Sequence, residues 1–184
     1  IYMGQELGEL GMDMEGFSGV DGKTTIFDYW GVPSLQAWTN NGAFNGANLT
    51  DEQWEIRNFY QKLMNICLTE KAISEGDMYD LEFANFGNPV FNSHEQFAFI
   101  RKHKNEVVLV VVNFYDKPVD LEVNIPFEAF QYLNLQDGNY YSARNLLNEQ
   151  EEFPIQRITS AVPYRLQLPA WSGKIMKLKK ENVV

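Results

Sequence analysis

A mainly β fold is expected: an antiparallel Greek-key β-sandwich over residues 76–184, preceded over residues 1–75 by one strand, loop and helix of the kind a parallel (β/α)8 barrel repeats. Three observations point there. Between turn residues the second part reads as about seven or eight short strand-like runs. One capped amphipathic helix stands before them. Before that helix, an apolar Ile-Tyr-Met start passes directly into Gly4, Gln5, Glu6, Gly8 and Glu9, as at the carboxyl end of a barrel strand.

The chain has 184 residues, 45% of them apolar and 14% aromatic, enough for a real core. Its net charge of −10 is spread along the sequence, without the basic stripe that neutralises phosphates, which argues against nucleic acid and anionic membrane surfaces as partners. The longest apolar run, Val107 to Val112, has the length of a strand and falls far short of the roughly 20 residues of a membrane span. Cys67 is the single cysteine, so an internal disulfide is impossible, and its helical setting favours a buried thiol.

After the opening strand, Leu10 to Lys23 reads as a long loop rich in Gly and acid. Asp13, Glu15 and Asp21 lack the alternation and closing Glu of a calcium loop, so they read as solvated acids. The segment TTIFDYW, Thr24 to Trp30, groups aromatics around Asp28. Such rings either stack on sugar faces while the acid takes a hydroxyl, or pin the loop to its scaffold.

Thr50 has the features of a helix N-cap, with Asp51 and Glu52 in the first turn and Gln53 at the capping-box position. The helix is expected to run to about Ser74, with Gly76 as its stop. Ile56, Phe59, Tyr60, Leu63, Ile66 and Cys67 recur at spacings of three and four, a stripe that needs a partner surface.

From Asp77 the period changes. MYDLEF, HEQFAFIRKH, EVVLVVVNFY and PVDLEVNIP read as strands; Pro126 opens a short helix, PFEAFQYL; and NYYSARNLL, EEFPIQRI, VPYRLQLP and WSGKIMKLKK complete the set. The continuous run Val107 to Val112 implies a central strand or one covered on both faces. The closing KLKKENVV reads as a frayed end. His94 and His103 read as surface or hairpin-end residues, and the sequence carries no G-x-S-x-G elbow, phosphate loop or dinucleotide fingerprint.

The pattern Y-x-G-x-E on Tyr2, Gly4 and Glu6, the segment DGKTTIFDYW followed by LTDEQWEIRNFYQKL, and the closing AWSGKIMKL together resemble the alpha-amylase superfamily of glycoside hydrolases. The resemblance covers essentially the whole chain. It corresponds to the last strand, loop and helix of the barrel followed by the C-terminal β domain. It implies that the parent is a retaining, alpha-glucan-acting hydrolase or transglycosylase. In that family the three catalytic acids lie on earlier strands, so no residue here inherits a catalytic role and the chain alone is expected to be inert. Tyr2, Gln5, Glu6, Asp28, Tyr29 and Trp30 would edge the substrate cleft or support it. Tyr140, Tyr141, Tyr164 and Trp171 are candidates for surface sugar stacking, against the alternative that they fill the sandwich.

No cofactor or metal is implied for this chain; calcium, where the parent uses it, would sit upstream. The implied partners are an alpha-glucan or maltooligosaccharide in the parent, and a second copy or the N-terminal part of the same protein over the apolar helix face. A free-standing carbohydrate-binding or interaction module is the alternative. The helix argues against it, because a self-contained sandwich has no use for Thr50 to Ser74.

Overall fold

The computed structural model describes Ile1, residues 4–9 and residues 32–182. Its contacts group into two compact units, Ile1–Asn65 and Ile66–Val184. The opening strand falls largely on Tyr2 and Met3, which with the long loop, residues 10–23, and the aromatic segment, residues 24–30, lie outside the described residues.

In the first unit, Gly4 (φ 84°) leads into a 3-10 turn, Gln5–Leu7, whose Leu7 is buried. Helix α1, Pro33–Thr39, starts on proline, whose missing N–H would be unpaired there in any case. It ends at Asn40 in the left-handed region. Asn40 then joins a web in which its amide donates to Asn45 Oδ1 at 3.1 Å and its carbonyl accepts from Asn48 Nδ2 at 2.9 Å.

Helix α2, Asp51–Thr69, begins as the sequence predicts. The Thr50 N–H donates to Gln53 Oε1 at 3.0 Å, and Thr50 Oγ1 accepts the Gln53 N–H at 3.3 Å, a reciprocal capping box. Its end differs from expectation. Glu70 is extended (φ −85°, ψ 107°) and breaks the helix, and a separate turn, α3 (Lys71–Ser74), follows. Of the apolar stripe only Ile66 is buried, while Phe59 remains 50% exposed.

Among the described residues, the second unit holds eight antiparallel strands. β1 (Asp77–Asp80), β2 (Gln96–His103), β3 (Glu106–Asn113), β5 (Asn139–Asn145), β6 (Glu152–Ile158) and β8 (Ser172–Glu181) form one sheet in the order β1-β2-β3-β8-β5-β6. β4 (Val119–Val123) and β7 (Tyr164–Leu168) form the second. One core cluster joins them, with Leu121, Val123, Leu166 and Leu168 from the small sheet and Ile100, Leu109, Val111 and Met176 from the large one. Two short helices, α4 (Glu82–Asn85) and α5 (Phe127–Tyr132), complete the set.

The run on β3 is buried on both faces, as its composition requires. Val107, Leu109 and Val111 enter the core, while Val108 and Val110 on the other face are also buried. α3 lies over β2 and β3 on that second face. Arg101 Nε donates to the Ala72 carbonyl at 2.9 Å and Nη2 to the Gly76 carbonyl at 2.6 Å.

Three local expectations are corrected. MYDLEF is a strand only to Asp80, because the Asp80 side chain accepts the Glu82 N–H at 2.7 Å and turns the chain into α4. Pro126 is the N-cap of α5 rather than its first residue. The KLKK segment is not frayed: Lys177 to Lys180 lie in β8 opposite Arg144 to Tyr141, with Leu178 buried.

Candidate functional site

The residues at the amino end gather around Gly4. A Cβ there would meet Glu9 Cβ at 2.9 Å and Ser34 Oγ at 3.3 Å, and only glycine adopts the positive φ at this position without steric cost. Glu9 Oε2 accepts the Ser34 N–H at 3.0 Å, joining two points 25 residues apart in sequence.

Glu6 and Leu7 line a cavity of about 290 Å³ together with Ile1, Trp38, Arg57, Tyr60, Gln61 and Met64. The Arg57 guanidinium lies 4.0 Å from the centre of the Trp38 ring, within cation–π range, and Trp54 meets Trp38 edge-on at 5.9 Å. Gln5 is exposed and Glu6 half-buried on the 3-10 turn. Tyr2, Asp28, Tyr29 and Trp30 lie outside the described residues. Sequence reasoning missed Arg57 as a cavity residue. The signal was available, since Arg57, Tyr60, Gln61 and Met64 recur at helical spacings of three and four.

The four aromatics proposed for surface stacking separate into two kinds. Tyr141 is 7% exposed and belongs to the core, because the strand period that leaves Tyr140 outside turns its neighbour in. Tyr164 is also buried; its hydroxyl reaches Met176 Sδ at 3.9 Å, and burial pushes its pKa up to about 12. Neither presents a face to solvent. Tyr140 and Trp171 do, at 41% and 71% exposure. They do not share a platform. Tyr140 pairs with Glu181 at one end of β8, whereas Trp171 precedes Ser172 at the other, about 30 Å away at the usual strand rise.

Trp171 sits on a braced turn. Its φ of 49° is uncommon for a bulky residue, and its N–H donates to the Tyr115 carbonyl at 3.0 Å. Beneath it Asn113, fully buried, uses every polar position: Nδ2 donates to the carbonyls of Lys117 (2.9 Å) and Pro169 (2.8 Å), and Oδ1 accepts from Tyr115 N–H and Gln96 Nε2, both at 3.1 Å.

Among the described residues no group of three or more His, Cys, Asp or Glu side chains is placed to hold a metal ion, and no helix is long and apolar enough to cross a membrane. His103 Nε2 lies 4.0 Å from Glu75. His94 takes part in a local turn, its N–H donating to Asn92 Oδ1.

Residues 90–175 match the family described as maltogenic amylase, C-terminal domain. Among solved structures, AmyP crystallised with maltose superposes with a TM-score of 0.54 at 13% identity, over 95% of this chain and 30% of its own. The noncanonic maltogenic alpha-amylase AmyB from Thermotoga neapolitana gives a TM-score of 0.54 at 11% identity, over 95% and 31%. No curated protein sequence matches. The chain thus spans less than a third of the length of those two structures, and at such identities the likeness is one of fold. The β domain of this chain thus has the fold of the C-terminal domains of those alpha-amylase structures, and its residues 90–175, from ahead of β2 into β8, match the maltogenic amylase C-terminal domain family in sequence.

Proposed function

We propose that this chain is the C-terminal portion of a retaining glycoside hydrolase or transglycosylase acting on alpha-glucans, and that it is inert alone. The observation that carries this reading is the match of residues 90–175 to the maltogenic amylase C-terminal domain; the Gly4–Glu9–Ser34 cluster and the capped helix before it support reading residues 1–75 as the last barrel unit. Retention needs two carboxyl groups about 5 to 5.5 Å apart across the scissile bond. In this reading Glu6, with Tyr2, Gln5, Asp28, Tyr29 and Trp30, edges the cleft, and the reacting acids come from the part of the enzyme before it. Calcium, where the enzyme holds it, belongs to that part as well.

The exposed Ile56, Phe59 and Met64 of α2 support the same arrangement. They are apolar surface awaiting a cover, which the reading supplies as the N-terminal part of the same protein, or a second copy when that part is missing. Positioning of the reacting groups is worth many orders of magnitude in rate, so its loss alone leaves no measurable turnover.

The test is to assay the chain and the full-length protein on maltooligosaccharides and a nitrophenyl alpha-glucoside. Turnover is expected only from the full-length protein, with the anomeric configuration retained. Turnover by the isolated chain that is lost in Glu6→Gln would overturn the inertness, and a full-length protein inactive on every alpha-glucan would overturn the family function.

A further inference from the structure

We infer that Asn41–Gly42, in the segment between α1 and α2, is a site of spontaneous backbone modification by deamidation, and that the fold holds Asn45–Gly46 against the same reaction.

The sequence holds two Asn-Gly pairs, and alanine follows both, as Asn41-Gly42-Ala43 and Asn45-Gly46-Ala47. Their local chemistry is therefore the same. In such a pair the Gly nitrogen gives its proton to solvent base and attacks the Asn Cγ. The bond from Cγ to the side-chain nitrogen breaks, that nitrogen takes up a proton and leaves as ammonia, and a five-membered succinimide closes. Water opens the ring at either carbonyl, giving aspartate or isoaspartate. Glycine favours the attack because it has no Cβ to shield the nitrogen and its backbone turns freely.

The structure separates the two pairs. Asn41 and Gly42 are exposed in a 3-10 turn, Asn40–Gly42, with Asn41 in the left-handed region (φ 55°, ψ 33°). The Asn41 side chain has no partner among the described residues. A Cβ on Gly42 would meet nothing within 4 Å, so the peptide has room to turn. At the second pair the reacting groups are tied. Asn45 Oδ1 accepts from Asn40 Nδ2 and from the Ala47 N–H, both at 3.1 Å. The Gly46 N–H, whose nitrogen would attack, donates to the Trp38 carbonyl at 3.0 Å. Gly46 is also buried, and a Cβ there would lie 2.7 Å from Trp54 and 2.8 Å from Trp38, so the two indoles close the space that Gly42 has open.

The first conversion changes the second site. Isoaspartate routes the main chain through the former side chain and adds a methylene inside a turn closed by the Ala43 N–H on the Asn40 carbonyl (3.2 Å) and the Phe44 N–H on the Thr39 carbonyl (2.9 Å). The longer path does not fit those bonds. Asn40 then loosens, and Asn40 is the residue that holds Asn45 and Asn48. Modification at Asn41 thus unlocks Asn45, and the two sites react in order.

The experiment is to incubate the 184-residue chain at mildly alkaline pH, folded and in urea, and to follow both sites by peptide mapping and mass spectrometry. In the folded chain Asn41 should convert at least about tenfold faster than Asn45, which must first break its hydrogen bonds to Asn40, Ala47 and Trp38. In urea the two sites should convert at similar rates. Conversion of Asn45 in the folded chain should follow a lag, on molecules already changed at Asn41. Asn41→Gln, whose longer side chain closes the ring far more slowly, should suppress conversion at both sites. The inference is overturned if Asn45 keeps pace with Asn41 in the folded chain, if Asn41 stays intact while the unfolded chain reacts, or if the difference between the sites persists in urea. Undiminished conversion of Asn45 in Asn41→Gln would overturn the order of events.

Discussion

Glu106 Oε1 accepts the backbone N–H of Ala72 at 2.6 Å. Its second oxygen meets Lys177 Nζ at 3.3 Å, and Lys177 also pairs with Glu70. One carboxylate on the first residue of β3 thus ties α3, on which Ala72 is completely buried, to the middle of the large sheet.

Glu106→Ala should therefore destabilise the chain by about 1.5–3 kcal/mol, the range for a lost hydrogen bond to a charged group, because it strands a buried N–H. Glu106→Gln should cost less, since its carbonyl still accepts. Urea melts of the two variants check the order; equal losses would show that the N–H bond is not the important contact.

Lys177 titrates above the ordinary lysine value. Burial pushes its pKa down, and hydrogen bonds and charge from Glu70 and Glu106 outweigh that. A raised folded pKa means its stabilising contribution is complete below the unfolded value of about 10.4 and is lost as pH rises through the folded one. The melting temperature should fall on that alkaline limb, and the fall should flatten in Lys177→Met.

Glu151 has the opposite sign. Burial would raise its pKa, but hydrogen bonds from Lys174 and Asn145 hold it below the ordinary glutamate value. Its contribution is complete above the unfolded value, about 4.3, and lost as pH falls through the depressed one. Glu151→Gln should flatten the acid limb of the melting curve and leave the alkaline limb unchanged.

At Gly76 a Cβ would lie 2.4 Å from the Ala72 carbonyl oxygen and 2.7 Å from that of Lys102. Both obstacles are backbone, which cannot swing aside. Gly76→Ala should cost about 1–3 kcal/mol by overpacking, and a variant as stable as the parent would show that α3 can lift from the sheet freely.

Val110 lies between Phe99 and Ile175 in the register of the large sheet and is 8% exposed. Val110→Asp would bury a carboxylate without a partner, at about 3–5 kcal/mol. An unchanged melting temperature would contradict the burial of that face.

Features set by neighbours in sequence were legible. The Thr50–Gln53 box and the valine run of β3 follow from residues within a few positions of each other. Features set by distant residues were not. Glu70, where α2 breaks, pairs with Lys177, 107 positions away, and Asn113 works through Pro169, 56 positions away. The period of two shows that Tyr140 and Tyr141 face opposite ways, but only the β5–β8 register says which one enters the core. For the same reason the closing lysines looked unstructured, although their alternation with Leu178 already had the period of a strand.

The position of β8 has a consequence for biosynthesis. It follows the other seven described strands in sequence, yet it stands between β3 and β5. A ribosome that has released everything up to Pro169 has produced β1-β2-β3 and β5-β6 as two separate ribbons, each with an open edge and a half-formed core. The domain can close only once Ser172 to Glu181 have left the exit tunnel, so a nascent chain stalled before them exposes those edges to aggregation and to chaperones.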